Sequence, residues 1–387
     1  MQSVKTLIIG GLALFDISLA IFFITPQDFV LASSQKTAQE VFLVCKSDAR
    51  YQECIGEEFA KVMDARGFGF LSETLLSYQT LDPGIRGCHT MAHETAQALK
   101  RKFSVLWKDI LRQIDPGLCG GGFMHGVLEA RVGDDPRFNI DTRSFEEICH
   151  GVVQENFSDS CAHILGHIIF VEKEGNLKVS LNVCRGLAGE MLFQCYGGIF
   201  MEDSVRMSFS DHGLGPEPFR NWQWFLRQQE RCREYNGDEF LEGGCFFDLA
   251  GAAAEVYGFR AANVYDICMT ARFSLARERC YIRASNIIII ASPPNTNPND
   301  FDELCGLIYF DISVNNRCIS WTVSALLDAS LLFMPRGVRF CERKQGLYQT
   351  KCFNELIGQI QNRVSRQDRH IRFCNALPAH YQEQCKE

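Results

Sequence analysis

Runs of small and apolar residues recur along this chain, each following a turn signal. Tyr196-Gly-Gly-Ile-Phe200 and Phe246-Phe-Asp-Leu-Ala-Gly-Ala-Ala-Ala254 are two of them. Small residues in such runs allow close approach between helices. Ahead of the runs lie helix-start signals. Ser274 is an expected N-cap, with Phe273 before it as a hydrophobic staple. The pattern repeats at Phe157-Ser158 and Phe310-Asp311, and Gln345-Gly346 and Leu377-Pro378 mark later turns. The arrangement predicts antiparallel two-helix hairpins. A single hairpin cannot bury its apolar face, so neighbours must stack. The expected fold is therefore all-α, a solenoid of stacked two-helix hairpin repeats. One insertion interrupts it: Lys100 to Pro116, with Phe103, Val105, Leu106, Trp107, Ile110, Leu111 and Ile114, predicts an extra amphipathic helix.

The cysteines sharpen this picture. There are 18, and they fall into nine consecutive pairs. Cys45 pairs with Cys54, Cys88 with Cys119, Cys149 with Cys161, Cys184 with Cys195 and Cys232 with Cys245. The later pairs are Cys268 with Cys280, Cys305 with Cys318, Cys341 with Cys352 and Cys374 with Cys385. All but Cys88 and Cys119 are 9 to 13 residues apart, and the first cysteines of the last seven pairs recur every 33 to 48 residues. Positions equally far from a hairpin turn lie side by side, within the ~4.4–6.8 Å Cα separation that a disulfide needs. About one disulfide per repeat is expected. An even, regular cysteine count without any CxxC favours disulfides over structural zinc, and with them an oxidising compartment. The architecture resembles disulfide-bridged Sel1-like and tetratricopeptide-like repeat proteins over most of residues 40–387, a resemblance that implies a scaffold.

The N-terminus agrees with export. Lys5 precedes an apolar stretch, residues 6–24, and Val30-Leu31-Ala32 offers small residues for signal-peptidase cleavage. An uncleaved membrane anchor through the same stretch is the alternative. The expected organisation is a leader or anchor at 1–32, a helical cap at 33–84, histidine-rich repeats at 85–203, a linker at 204–220 and further bridged repeats at 221–387. Net charge is −8, which argues against a nucleic-acid partner. A protein partner is expected on the repeat surface.

Candidate chemistry lies in the histidines. Of nine, six fall between His89 and His167. His89 and His150 each follow the first cysteine of a pair; His125 and His167 each lie six residues beyond the second. His89 with His93, and His163 with His167, are i, i+4 pairs, each on one helical face. Imidazoles so placed can share a metal ion. The candidate ligands are His89, His93, His125, His150, His163 and His167. Glu94, Glu129 and Glu155 are available as extra ligands, orienting groups or proton acceptors, and Glu94 and Glu155 are the catalytic candidates. Glycines flank the cluster at 120–122, 126, 151 and 166, where close backbone approach would need them. Zinc or copper suits an imidazole-rich site outside the cytoplasm, with iron or non-covalent haem as alternatives. Two sets of three histidines, each containing HxxxH, resemble the type-3 copper centre of tyrosinases. That resemblance implies a dinuclear oxygen-active centre. His93-Glu94-Thr95-Ala96-Gln97 is similar to the zinc-protease HExxH, with Gln97 in place of the second histidine. No CxxCH is present, which excludes c-type haem attachment, and no GxSxG supports a serine hydrolase. Three functions stand open: a metal- or haem-binding repeat protein, a metal-free interaction scaffold, and a metalloenzyme with a dinuclear or hydrolytic centre.

Overall fold

The computed structural model describes residues 26–81, 89–103, 107–113, 118–134, 140–150, 158–208, 222–291, 301, 303–306, 312–329, 331–363 and 373–387. Among these the chain is helical throughout and contains no strand. The helices are α1 (Pro26–Cys45), α2 (Tyr51–Leu81), α3 (His89–Phe103), α4 (Trp107–Gln113), α5 (Gly122–Asp134), α6 (Thr142–Phe145), α7 (Ser158–Glu172), α8 (Leu177–Cys184) and α9 (Gly189–Ser208). They continue as α10 (Trp222–Glu234), α11 (Glu239–Val256), α12 (Ala261–Cys268), α13 (Ser274–Ala291), α14 (Ile312–Ala329), α15 (Met334–Glu342), α16 (Leu347–Arg363) and α17 (Ala379–Lys386). Gly67 interrupts α2 with φ +78°.

Eight of the nine expected disulfides are present among the described residues. Cys45 is bonded to Cys54, Cys149 to Cys161, Cys184 to Cys195 and Cys232 to Cys245. Cys268 is bonded to Cys280, Cys305 to Cys318, Cys341 to Cys352 and Cys374 to Cys385. Their Cα separations run from 5.3 to 6.0 Å, as side-by-side positions on a hairpin require. The ninth expected pair involves Cys88, which lies outside the described residues; Cys119 is itself disulfide-bonded. Eight intramolecular disulfides fit an oxidising, extracytoplasmic environment.

The bridges sit in a regular frame: a short helix, a tight turn, then a longer one. Cys184 and Cys268 are the last residues of the short helices α8 and α12. Cys195, Cys245, Cys280 and Cys318 are each the seventh residue of the helix they staple, namely α9, α11, α13 and α14. That common register explains the recurring cysteine spacing. Cys385 keeps this position in α17, the last helix, but three other cysteines depart from it. Cys54 and Cys161 fall in the first turn of α2 and α7, and Cys352 comes one residue earlier in α16 than the common position.

The long helices contact one another in chain order, α9 against α11, α11 against α13, α13 against α14 and α14 against α16. Their inward faces form the core, with Phe193, Tyr196, Phe200, Phe246 and Tyr281 fully buried. Trp224 and Phe225 are core residues too. Small residues do set the spacing. A side chain at Gly166 or Gly198 would overlap the backbone carbonyls of Cys195 and His163 respectively.

Local details differ from the sequence reading. Helix α13 starts on Ser274 itself, and the carbonyl of Phe273 accepts its first intrahelical bond, so Phe273 occupies the cap position. The insertion is not one amphipathic helix: α3 runs on to Phe103 and a separate short helix, α4, begins at Trp107. Helix α9 continues through Ser208, so the expected linker region opens with helical residues; Ser204 is buried and donates to Asp248 at 2.5 Å. Residues 209–221 lie outside the described set, as do the apolar stretch 6–24 and the Phe310-Asp311 turn. Among the described residues no helix is long and apolar enough to cross a membrane.

Candidate metal centre

The first HxxxH lies on α3, which crosses α5 at very short range. A side chain at Gly122 would overlap the His89 carbonyl, and one at Gly126 the His93 carbonyl. Only glycine permits this crossing. Its consequence is chemical, because His125 and Glu129 on α5 are thereby pressed against His89 and His93 on α3. Nε2 of His93 lies 2.7 Å from Glu129 Oε2, and Nε2 of His125 lies 3.0 Å from Glu129 Oε1. His93, His125 and Glu129 each offer a ligand atom, all within 4.8 Å of one another. Both histidines are buried.

The hydrogen bonds constrain the tautomers. Nδ1 of His89 faces the Cys119 carbonyl at 3.1 Å, and a carbonyl only accepts, so this nitrogen carries the proton. In the neutral ring Nε2 of His89 is then an acceptor, and Nδ1 of His125, 3.5 Å away, donates to it. A neutral His125 therefore turns its Nε2 lone pair toward the Glu129 carboxylate. Two electron-rich atoms at that distance require a proton or a cation between them. Gln97 Nε2 also donates to Glu129 Oε2, at 3.1 Å, and fixes the carboxylate from the far side. This is the role of the residue standing where a second HExxH histidine would be.

Titration behaviour follows from the same contacts. Burial disfavours the charged form of both partners. For His93 it is outweighed by hydrogen bonds with Glu129 and Glu94, and the pKa rises to about 9. Burial likewise acts to raise Glu129, but hydrogen bonds from His125 and His93 hold its carboxyl far below the usual carboxylate range. Glu94 lies 3.6 Å from Nδ1 of His93.

The second HxxxH, on α7, meets His125 through a ring contact. His125 and His167 have centroids 5.0 Å apart, and His167 and His163 4.8 Å. His167 Nδ1 meets Glu202 Oε2 of α9 at 3.2 Å. His163 is pushed well below the ordinary imidazole pKa, first by burial, then by the charges of His167, Arg283 and His125. The structure thus brings His89, His93, His125, His163 and His167 into one row of rings. His150 closes the turn Glu146–His150, and its side chain lies outside the described set, as does all of Glu155. Sequence reasoning missed Glu202, which no histidine spacing points to. It placed Glu129 among several acids without singling it out, although His125 and Glu129 form an i, i+4 pair that marks it.

Comparison with protein-family models, with characterised proteins and with solved structures gives no match.

Proposed function

We propose that this chain is an extracytoplasmic, disulfide-stapled helical-repeat protein that binds a transition metal ion, zinc or copper in class, between α3 and α5. The ligands are His93, His125 and Glu129. The observation that carries this reading is the pair of buried imidazole nitrogens facing the two oxygens of one carboxylate. Around a tetrahedral ion with bonds of ~2.0–2.1 Å, neighbouring ligand atoms lie about 3.3 Å apart. The two nitrogen–oxygen separations, 2.7 and 3.0 Å, need to open, and the wider separation among ligand atoms that lie within 4.8 Å of one another needs to close, to reach about 3.3 Å. Two nitrogens and one oxygen leave a further coordination position for water or an exogenous ligand, the arrangement of catalytic rather than structural zinc. His89 would orient His125 through its Nδ1, and Gln97 would orient Glu129. The successive hairpins are read as a solenoid that holds the two helices in register.

Elemental analysis tests the reading, with protein purified from an oxidising compartment without chelators. About one equivalent of zinc or copper is expected in the native chain, and its loss in Glu129→Gln and His125→Ala. Native protein that carries no metal, and takes up none of added zinc, copper or iron, would overturn it. A visible spectrum on the same sample decides between zinc and a coloured ion or haem.

A further inference from the structure

Eight bridges of this chain are local. Each spans 9 to 13 residues and closes one turn. In Cys184, Cys232, Cys268, Cys341 and Cys374 the carbonyl accepts a backbone N–H three residues on, so the cysteine serves its own turn. Cys119 differs. It is disulfide-bonded, and Cys88 is the one cysteine of the chain that the eight bridges leave to bond it. Cys88 directly precedes His89, the first residue of α3, and Cys119 stands three residues ahead of α5. This bridge therefore skips over α4 and ties the start of α3 to the start of α5.

The two helices so tied are the ones that carry the metal ligands. Gly122 packs on the His89 carbonyl and Gly126 on the His93 carbonyl, so α3 and α5 run in the same direction with their first turns together. At that end Cys119 has φ +57°, within the tight turn Leu118–Gly121. This is the left-handed region, which residues with a side chain disfavour. A residue stays there only where its surroundings fix it. The bridge fixes Cys119 through its sulfur, and its carbonyl accepts from Nδ1 of His89 at 3.1 Å. Nε2 of His89 in turn accepts from Nδ1 of His125 at 3.5 Å, and Nε2 of His125 faces Glu129 at 3.0 Å. A line of contacts thus runs from the bridge to a metal ligand and sets the tautomer of each ring on the way.

We propose that the Cys119 bridge is an assembly latch on the metal site, acting through the His89 ring: with the bridge formed, His125 presents its nitrogen to the ion, and without it the site holds metal weakly. The inference rests on the metal reading given above. The latch closes when two cysteine thiols lose two electrons and two protons to a disulfide donor, which leaves as two thiols. Cys119 is buried, so the bridge is set as the chain folds and is not exchanged afterwards. Metal loading therefore follows oxidation, and a chain with reduced cysteines does not retain the ion. Outer partners of metal-bound imidazoles act in this way, by fixing ring orientation and leaving the metal-facing lone pair free.

The test is calorimetric titration of the chelator-treated full chain with zinc ions in one arm and copper(II) in the other. Replacing Cys88 and Cys119 together by alanine should weaken binding roughly tenfold to a hundredfold. Replacing Cys268 and Cys280 together, which removes a bridge in a later repeat, should leave the affinity unchanged. His89→Phe keeps the Cys119 bridge and removes both ring nitrogens, so it should weaken binding to a similar extent. Added to His89→Phe, the loss of the bridge should cost nothing further, because both act through one line of contacts. Native affinity in the bridge-free chain, or losses that simply add, would overturn the latch alone. Native affinity in His89→Phe overturns it too, even where the bridge-free chain does not fold. A native chain that takes up neither ion overturns the metal reading beneath it.

Discussion

Replacing Gly126 by alanine tests the link between helix packing and the candidate site. The added Cβ would overlap the His93 carbonyl and sit 3.0 Å from the Ala96 Cβ. To reach ordinary van der Waals distance, α3 and α5 must separate by about 1 Å. Over-packing of this kind costs roughly 1–3 kcal/mol, reduced by the up to ~1 kcal/mol that alanine gains over glycine within a helix. Glu129 lies one turn further along α5, so the separation also stretches its 2.7 Å contact with His93. Two readouts should move together. The melting temperature should fall by several degrees, and the His93 pKa, raised to about 9 by that contact, should drop when followed by NMR in metal-free protein. Gly251→Ala is the control, because nothing lies within 4 Å of a Cβ there. It should be neutral or slightly stabilising. If the two variants melt alike, the close crossing is not what holds α3 against α5, and the reasoning is refuted.

Other predictions follow from single contacts. Removing the disulfide between Cys268 and Cys280, which spans 12 residues, should cost about 3 kcal/mol by loop-closure entropy; an unchanged denaturation midpoint in the double alanine variant would contradict this. In metal-free protein the His93–Glu129 pair should contribute most between pH 4.5 and 6.5, the ordinary values of the two groups. The raised His93 gives stability that is complete below 6.5 and lost as pH rises through about 9. The depressed Glu129 gives stability present above 4.5 and lost on acidification. Melting curves of native and Glu129→Gln protein should therefore converge at both extremes of pH and differ between them. Lys344 is buried, and its Nζ donates to the carbonyls of Phe301 and Leu304. Lys344→Met should destabilise by about 1–3 kcal/mol by leaving these acceptors unsatisfied, and should speed proteolysis at residues 301–306. Equal cleavage rates would show that the loop does not depend on this lysine.

What the sequence determines here is what is local. Cysteine spacing places each disulfide across one turn, since residues equidistant from a hairpin turn must meet. The bridges from Cys45 to Cys54 at one end of the chain and from Cys374 to Cys385 at the other both obey it. Likewise HxxxH puts two imidazoles on one face because the helix repeats every 3.6 residues. The tertiary structure decided which faces meet. Only the crossing at Gly122 and Gly126 selects Glu129 from the acids near the cluster, and only packing of α7 on α9 gives His167 its Glu202. Contacts between helices depend on interaxial distance and register, which are fixed by the close-packed fit of all their side chains, and that information is not periodic along the chain.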